Sequence, residues 1–420
     1  MHTGRDAPHT ACGIVPPHLL RQIARAETAS AGEGPDGIDA RDGGEGVDRA
    51  GGAAAAARTL EIGRLVARSR EVRAVRTGRV GPPSTAAGLV PPHLQQRLRG
   101  PRPMTGEGAP PSAVPHDAVT AAARGLGPRR SIHDAGGGTA LPGALVRGEG
   151  GAPTGDDSAD EAYDGLGATW ELYHQAFSRD SLDDRGMGLI ATVHYGQDFL
   201  NAFWDGEQMI FGDGDGVHFR SFTNAVDVIG HELTHGVVQY TAGLIYVAQP
   251  GALHESIADC AGAMVKQRLL GQSAEEADWL IGEGLFTERV QGVALRSMKA
   301  PGTAYDDPVL GTDPQPASME HYADLPHDEE NDNGGVHINS GIPNRAFFLA
   351  ATGIGGTSWE GAGPLWYEAL TGSGLPKDAD FATFAAATLA VAADRHGQGS
   401  SAYRAVEDAW QEVGVRPGRR

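Results

Sequence analysis

The sequence predicts an α+β chain: two domains flanking one cleft, preceded by an N-terminal extension without a core of its own. Three observations carry this reading. Residues 131–225 alternate turn signals with short apolar runs such as Met209-Ile210-Phe211 and Val217-His218-Phe219, the pattern of short strands. Residues 226–413 repeat apolar positions at helical spacing in several segments. Residues 1–130 contain no Phe, Tyr or Trp and so have little large apolar surface from which to build a core. The chain has 420 residues, 40% of them hydrophobic, which is enough for two globular domains.

The extension, residues 1–130, is rich in Ala, Gly, Arg and Pro and is expected to be a propeptide, partly helical and partly disordered. Thr59–Val75 has the spacing of a short amphipathic helix, and Gly32–Gly52 reads as a linker. Charge divides at the same boundary. Residues 1–130 hold 18 Lys+Arg and 12 Asp+Glu, net +6, whereas the remaining 290 hold 16 and 42, net −26. A basic segment against an acidic body is electrostatically complementary, although acidity also serves plain solubility. The body is acidic and its arginines are scattered, which excludes a nucleic-acid partner. No segment is apolar for long enough to span a membrane. Met1–Leu20, broken by Pro8, Pro16 and Pro17, lacks the apolar run of a signal peptide.

Domain boundaries are expected at 131–240 for the strand-rich domain and 241–420 for the helical one. Within the first, one helix is expected near Gly167–Phe177. In the second half, helices are expected at 226–240, 254–270, 275–285, 343–352, 359–370, 379–395 and 400–413. Pro343 suits a first helical turn. Gly230 and Gly236 weaken the first of these helices by up to about 1 kcal/mol each relative to Ala, which points to close packing or to a hinge.

The chemistry sits on that helix. His231-Glu232-Leu233-Thr234-His235 places two imidazoles four residues apart, hence on one helix face, with a carboxylate directly after the first. Two neutral imidazoles there can bind one zinc ion, and Glu232 can reach the water it activates. Val226, Val228, Ile229, Leu233, Val237 and Val238 make the helix buried, and buried histidines need partners. A third protein ligand is required, with the fourth position left to water. Glu255 lies 20 residues after His235 in the helical pattern around His254-Glu255-Ser256-Ile257-Ala258-Asp259. Asp259 shares its face and can take the second N–H of a ligand histidine, fixing its tautomer.

With these residues in view, the chain resembles the thermolysin family of zinc proteases from about Ile132 to the C-terminus. The resemblance rests on Asn201-Ala202-Phe203-Trp204, Phe211-Gly212-Asp213-Gly214-Asp215-Gly216, and the block from His231 through Tyr240-Thr241-Ala242-Gly243-Leu244-Ile245-Tyr246. It continues through His254 to Asp259, Leu295-Arg296-Ser297-Met298 and Asp332-Asn333-Gly334-Gly335-Val336-His337-Ile338-Asn339-Ser340-Gly341. It implies a thermolysin-like two-domain zincin with the cleft between its domains. His231, His235 and Glu255 would hold zinc, and Glu232 would be the general base. Tyr246 and His337 would stabilise the oxyanion, with Asp332 orienting His337. Arg296 would hold a substrate carbonyl, and Asn201 and Ala202 the substrate backbone. Each residue also has a plainer reading: core tyrosine, structural ion pair, hydrogen-bonded histidine, solvated aspartate.

The family pocket after the scissile bond is apolar and favours large hydrophobic side chains; Phe203, Val228 and Leu325 are candidates to line it. The family also carries a calcium cluster. Asp227, Asp278 and Glu283 match its ligands, but Lys266 and Leu280 stand where carboxylates are expected. Lys266 is therefore expected to replace at least one calcium ion, an ammonium among carboxylates being a point charge in the cation's place.

Cys12-Gly13-Ile14-Val15-Pro16-Pro17-His18-Leu19 is echoed by Ala87-Gly88-Leu89-Val90-Pro91-Pro92-His93-Leu94. The first copy resembles precursors of the protealysin branch, in which a short propeptide covers the cleft. Cys12 would then be an inhibitory zinc ligand. The only possible disulfide, Cys12–Cys260, is not expected, since Cys260 follows Asp259 on an apolar helix. Processing is expected between about Pro110 and Ser131, with Arg129-Arg130 as a basic candidate. The product would be a secreted endopeptidase, exported without a classical leader, or a cytoplasmic zymogen. The rivals are a catalytically silent zincin that binds protein, and a zinc aminopeptidase. The partners expected are a peptide substrate and the chain's own propeptide.

Overall fold

A computed structural model of the chain describes residues 13–30, 51–64, 127–372 and 374–418. Helix α1, Pro17–Ser30, and a helical run at 51–64, α2, belong to the extension. Residues 65–75 of the amphipathic stretch and most of the linker lie outside the described residues, and Gly51 and Gly52 are helical rather than linker.

The strand-rich region is a five-stranded sheet in the order β2-β1-β3-β5-β4: Ala144–Gly148, Arg130–Asp134, Leu189–Val193, Met209–Phe211 and Ala202–Trp204. β1, β3 and β5 run parallel, while β2 and β4 are antiparallel to their neighbours. β4 is thus an edge strand. Its partner β5 fixes Ala202 opposite Phe211 and Trp204 opposite Met209. Helix α3, Asp157–Phe177, crosses β1 and β3. It begins ten residues before the expected Gly167 because Asp156 caps it, accepting from the Ala159 N–H at 3.0 Å.

Helices α4, Val226–Gln239, and α5, Ala248–Leu270, form the centre of the molecule. They cross closely. A Cβ on Gly262 would lie 2.3 Å from the Asp227 carbonyl oxygen, and one on Gly230 would lie 3.1 Å from the Gly262 Cα. The glycines therefore serve close packing. Val228, Ile229, Leu233, Val237 and Val238 on α4 are at most 1% exposed. Burying five such side chains, at about 1.5–3 kcal/mol each, outweighs the helix-propensity cost of two glycines. α5 starts at Ala248, earlier than the expected 254; Pro250 falls in its first turn, where a missing N–H costs no helical bond.

The expected helix 275–285 is absent. Trp279, Gly282 and Gly284 take φ of 60°, 73° and 83°, left-handed positions that interrupt a right-handed α-helix. The segment instead forms β6, Leu280–Ile281, paired with β7, Arg296–Ser297. Beyond it lie α6, Asp332–Asn339; α7, Gly341–Ile354; α8, Ala362–Thr371; α9, Phe381–His396; and α10, Ser401–Glu412. Stacked Trp366 and Trp410, 5.9 Å between centroids, lock α8 to α10. Among the described residues, no helix is long and apolar enough to cross a membrane.

Candidate metal centre and substrate cleft

The helical turn between His231 and His235 brings their Nε2 atoms to 3.0 Å. Glu255, from α5, approaches both through separate oxygens: 3.5 Å from His231 Nε2 and 3.8 Å from His235 Nε2. All three side chains are buried. Metal–ligand bonds of about 2.0–2.2 Å at tetrahedral angles separate neighbouring ligand atoms by about 3.3–3.5 Å, so this nitrogen–nitrogen–oxygen set fits a zinc ion. Glu232 also lies near, its Oε2 4.0 Å from His235 Nε2, but that oxygen accepts the Trp204 N–H at 3.0 Å. Glu255 is the carboxylate that faces both imidazoles.

Asp259 is the hub behind the histidines. Its Oδ1 lies 2.7 Å from His231 Nδ1, and the Arg296 guanidinium grips both its oxygens at 2.8 and 2.9 Å. Asn344 donates to it at 2.8 Å. Burial favours the neutral acid, but Arg296 and His231 outweigh it and hold the carboxyl well below the usual range. An ionised Asp259 keeps the His231 proton on Nδ1 and turns the Nε2 lone pair towards His235.

The third element is α6. Asp332, Asn333, Gly334 and Gly335 take φ of 56°, 51°, 84° and 75°, so the chain coils left-handed before the helix proper begins. Side chains rarely adopt this conformation, and the Gly pair makes two of the four positions strain-free. The coil folds Asp332 back onto His337, with Oδ1 2.6 Å from Nδ1 and Oδ2 2.8 Å from the His337 N–H. His337 Nε2 lies 3.3 Å from the Tyr246 hydroxyl and 3.5 Å from Glu255 Oε2. Burial opposes charge on His337, yet Glu255 and Asp332 prevail and raise its pKa to about 9.

The cleft between β4 and α6 holds the extension. Gly13 pairs antiparallel with Phe203, adding a strand position to the sheet edge. The Ile14 N–H donates to the Ala202 carbonyl at 3.2 Å, and Arg296 donates to the Ile14 carbonyl at 3.1 Å. The Val15 N–H donates to Asn201 Oδ1 at 2.9 Å. His337 Nε2 meets the Gly13 carbonyl at 3.0 Å. Asn201, Ala202 and Arg296 thus all touch one peptide segment, bridged at Gly13 and bent at Ile14 and Val15, and Arg296 is at once a buried ion-pair partner and a carbonyl donor. Ile14, Val15, Leu19, Leu20 and Ile23 are buried against the body.

Local sequence gave no signal for several contacts. His18 lies 3.3 Å from the Tyr305 hydroxyl, and Thr59 accepts the Leu200 N–H at 2.9 Å. Gln315 donates to the His337 carbonyl at 2.7 Å. Cys12 and the second copy, Ala87–Leu94, lie outside the described residues. Cys260 is a free, buried thiol whose pKa burial pushes well up, which makes it inert. Phe203 does not share the core containing Ile14: its ring packs with Tyr195 and Phe199 in a separate cluster. Val228 and Ile14 belong to one continuous core, and Leu325 is only partly buried.

At the far end of α5, Lys266 Nζ lies 2.8 Å from both Asp278 Oδ2 and Glu283 Oε2. Asp227, buried at the start of α4, accepts the Gly282 N–H at 3.0 Å. Burial raises its pKa to about 6 against the pull of Lys266.

Comparison with known proteins gives this geometry its family. Residues 132–239 match the thermolysin metallopeptidase catalytic domain, and residues 242–415 match the thermolysin metallopeptidase α-helical domain. The chain belongs to the thermolysin family of metallopeptidases. It is 52% identical over 305 residues to an extracellular metalloprotease of Pectobacterium carotovorum subsp. carotovorum, covering 73% of this chain and 85% of that one. It is likewise 52% identical over 287 residues to Protease PrtS of a Photorhabdus species, covering 68% of this chain and 76% of that one. The solved precursor of protealysin, a metalloproteinase from Serratia proteamaculans, superposes with a TM-score of 0.72 at 43% identity. That likeness covers 96% of this chain and all of that one. The fold is thermolysin-like, with a strand-containing catalytic domain and a helical domain, and the chain is a thermolysin-like metalloendopeptidase of a zinc-dependent family.

Proposed function

We propose that this chain is a zinc endopeptidase made as a self-inhibited zymogen. It would cut internal peptide bonds before large hydrophobic residues, and it would act outside the cell, as the extracellular relatives are named to do. His231, His235 and Glu255 would hold the zinc. When bound, the metal supplies a Lewis acid that polarises a carbonyl and acidifies a water. Glu232 takes the proton of the attacking water and returns it to the leaving nitrogen, a role worth about 10²–10⁴ in rate. Tyr246 and His337 donate to the developing oxyanion, and Asp332 fixes the His337 ring for that task. Asn201, Ala202 and Arg296 hold the peptide backbone on either side of the bond.

One observation carries the reading: the chain's own residues 13–15 lie in the cleft, gripped by the groups a substrate would need. The burial of Ile14 in that bound stretch supports the hydrophobic preference. The proposed propeptide is residues 1–130 or slightly less. The catalytic body would span 131–240 and 241–420. The Leu189 N–H bonds the Arg129 carbonyl at 2.8 Å, and Arg130 opens β1, which favours moving the proposed start of the body from 131 to about 128. Cys12 remains the proposed inhibitory thiol. Lys266 is proposed to stand in for calcium among Asp227, Asp278 and Glu283.

The test is hydrolysis of an internally quenched peptide with a blocked N-terminus. We expect a latent full-length chain, an active Cys12→Ala variant and an inactive Glu232→Ala variant. A blocked peptide left intact by every form after zinc addition and removal of the extension would favour a silent binding protein. Cleavage only of peptides with a free N-terminus would favour an aminopeptidase.

A further inference from the structure

Residues 13–15 do more than fill the cleft: they present one particular peptide bond. We propose that the Gly13–Ile14 bond is a substrate bond of this enzyme, cut within the same molecule. The proposal rests on the endopeptidase reading above and adds a cleavage site far upstream of the junction near residue 128.

The register is what points there. The Gly13 carbonyl is the one that meets His337 Nε2, at 3.0 Å, beside the Tyr246 hydroxyl and Glu255. Hydrolysis needs the attacked carbonyl at the oxyanion donors, and among the described residues of the segment it is the Gly13 carbonyl that meets His337 there. The next atom along the chain, the Ile14 nitrogen, is held by the Ala202 carbonyl at 3.2 Å. Two residues further along that same strand, the Trp204 N–H bonds Glu232 Oε2 at 3.0 Å, so β4 positions both the leaving nitrogen and the base. Arg296 and Asn201 clamp the two residues that follow.

The register is also hard to change. Ile14 is fully buried, and a slip by one residue would turn it out of the core. A Cβ on residue 13 would lie 2.5 Å from Asn201 Nδ2, so a larger residue there would displace the amide that holds Val15. Mere occlusion requires none of this alignment.

The step is an ordinary hydrolysis. The water oxygen bonds to the Gly13 carbonyl carbon, and the bond from that carbon to the Ile14 nitrogen breaks. Glu232 carries the water's proton to that nitrogen. The products are Met1–Gly13, ending in a carboxylate, and a chain that begins at Ile14. Water is the only co-reactant. A Cys12 thiolate on the metal would exclude that water and keep the bond whole, so the test is run in a Cys12→Ala background.

Zinc-loaded Cys12→Ala chain is followed by intact mass and N-terminal sequencing, alongside the added substitutions Glu232→Ala and Ile14→Pro. We expect a chain beginning at Ile14 to appear at a rate independent of protein concentration, to be absent with Glu232→Ala, and to slow at least about tenfold with Ile14→Pro, which lacks the N–H held by Ala202. An intact Gly13–Ile14 bond in a preparation that cleaves a blocked peptide overturns this proposal and leaves the endopeptidase reading standing. Failure to cleave either bond overturns both. A turnover-free readout tests the register alone: in the zinc-free chain the Ile14 and Val15 amides should exchange hydrogen at least about tenfold more slowly than in Asn201→Ala. Equal exchange overturns the register.

Discussion

Two charge clusters are built on helices α4 and α5, one at mid-length and one at an end, where Asp278 and Glu283 from the segment after α5 join it, and they meet the same electrostatic demand in opposite ways. At mid-length, His231, His235, Glu255 and Asp259 are all buried, and two imidazoles and a carboxylate converge on one point as donors of electron pairs. At the end, Asp227, Asp278 and Glu283 converge on the ammonium of Lys266, with 2.8 Å contacts to the last two. The first arrangement suits a cation from solution, whose open coordination can do chemistry; the second carries its cation on the chain. Covalently supplied charge is permanent and needs no ion from the medium, but it offers no vacant position for a reactant. The contrast separates a functional cation from a structural one.

The sharpest break in that contrast is Glu232→Ala. Turnover of a blocked peptide should fall by about 10²–10⁴ while the fold survives, read by kcat and thermal melting. A variant within tenfold of wild type would move the proton transfer to another residue.

Lys266→Met tests the other cluster. Removing the ammonium leaves three carboxylates facing each other, and stability should drop by about 1–2 kcal/mol, the Asp278 and Glu283 carboxylates being partly exposed. Added calcium should raise the melting temperature of the variant and leave wild type unmoved. An equal rise in both would show that the lysine is no substitute for the ion.

Asn201→Ala removes the pair of side-chain bonds to Val15, at 2.9 and 3.4 Å. Loss of about 1–2 kcal/mol should loosen the docked segment roughly five- to thirtyfold. Limited proteolysis of the zinc-free chain would read this without involving turnover.

The smallest effect is one of pH. Burial lowers the docked His18 imidazole to about 4 and outweighs the raising pull of Asp332; His337, Arg21 and Arg296 push the same way as burial. Undocked, it titrates near 6.5. The undocked state therefore binds more protons between these values, so docking is fully stabilised above pH 6.5 and weakens as pH falls towards 4. Release measured by the same proteolysis should quicken by roughly tenfold from pH 7 to 5 in wild type, and a His18→Gln variant should flatten the profile.

Much of this was legible in sequence, for reasons that differ by residue. Helix periodicity and a four-residue spacing are local, so α4 and its paired imidazoles could be read directly. Strand content in 131–225 was visible from turn signals, but the order of the sheet, and hence β4 at its edge, depends on long-range pairing. The expected helix at 275–285 failed because left-handed backbone at Trp279 overrode apolar spacing. Arg296 reads as an isolated arginine until Asp259 is beside it, and Asn344 and Gln315 carry no signal at all. Docking of the segment around Ile14 and Val15 was suggested by the likeness of the Cys12–Leu19 run to precursors of the protealysin branch, but its register and its contacts with Asn201, Ala202 and Arg296 depend on long-range packing.

The edge position of β4 has one more implication. A sheet that ends in unpaired backbone groups recognises the amide repeat common to every protein, whatever its side chains. What such an edge excludes is shape: a helix or a tight turn presents no row of matching groups. If the extension is removed as proposed, susceptibility would therefore track how readily a stretch of the target can open out to lie along this edge. Frayed ends, long loops and unfolding intermediates would be consumed first, and compact native proteins would be spared until they open.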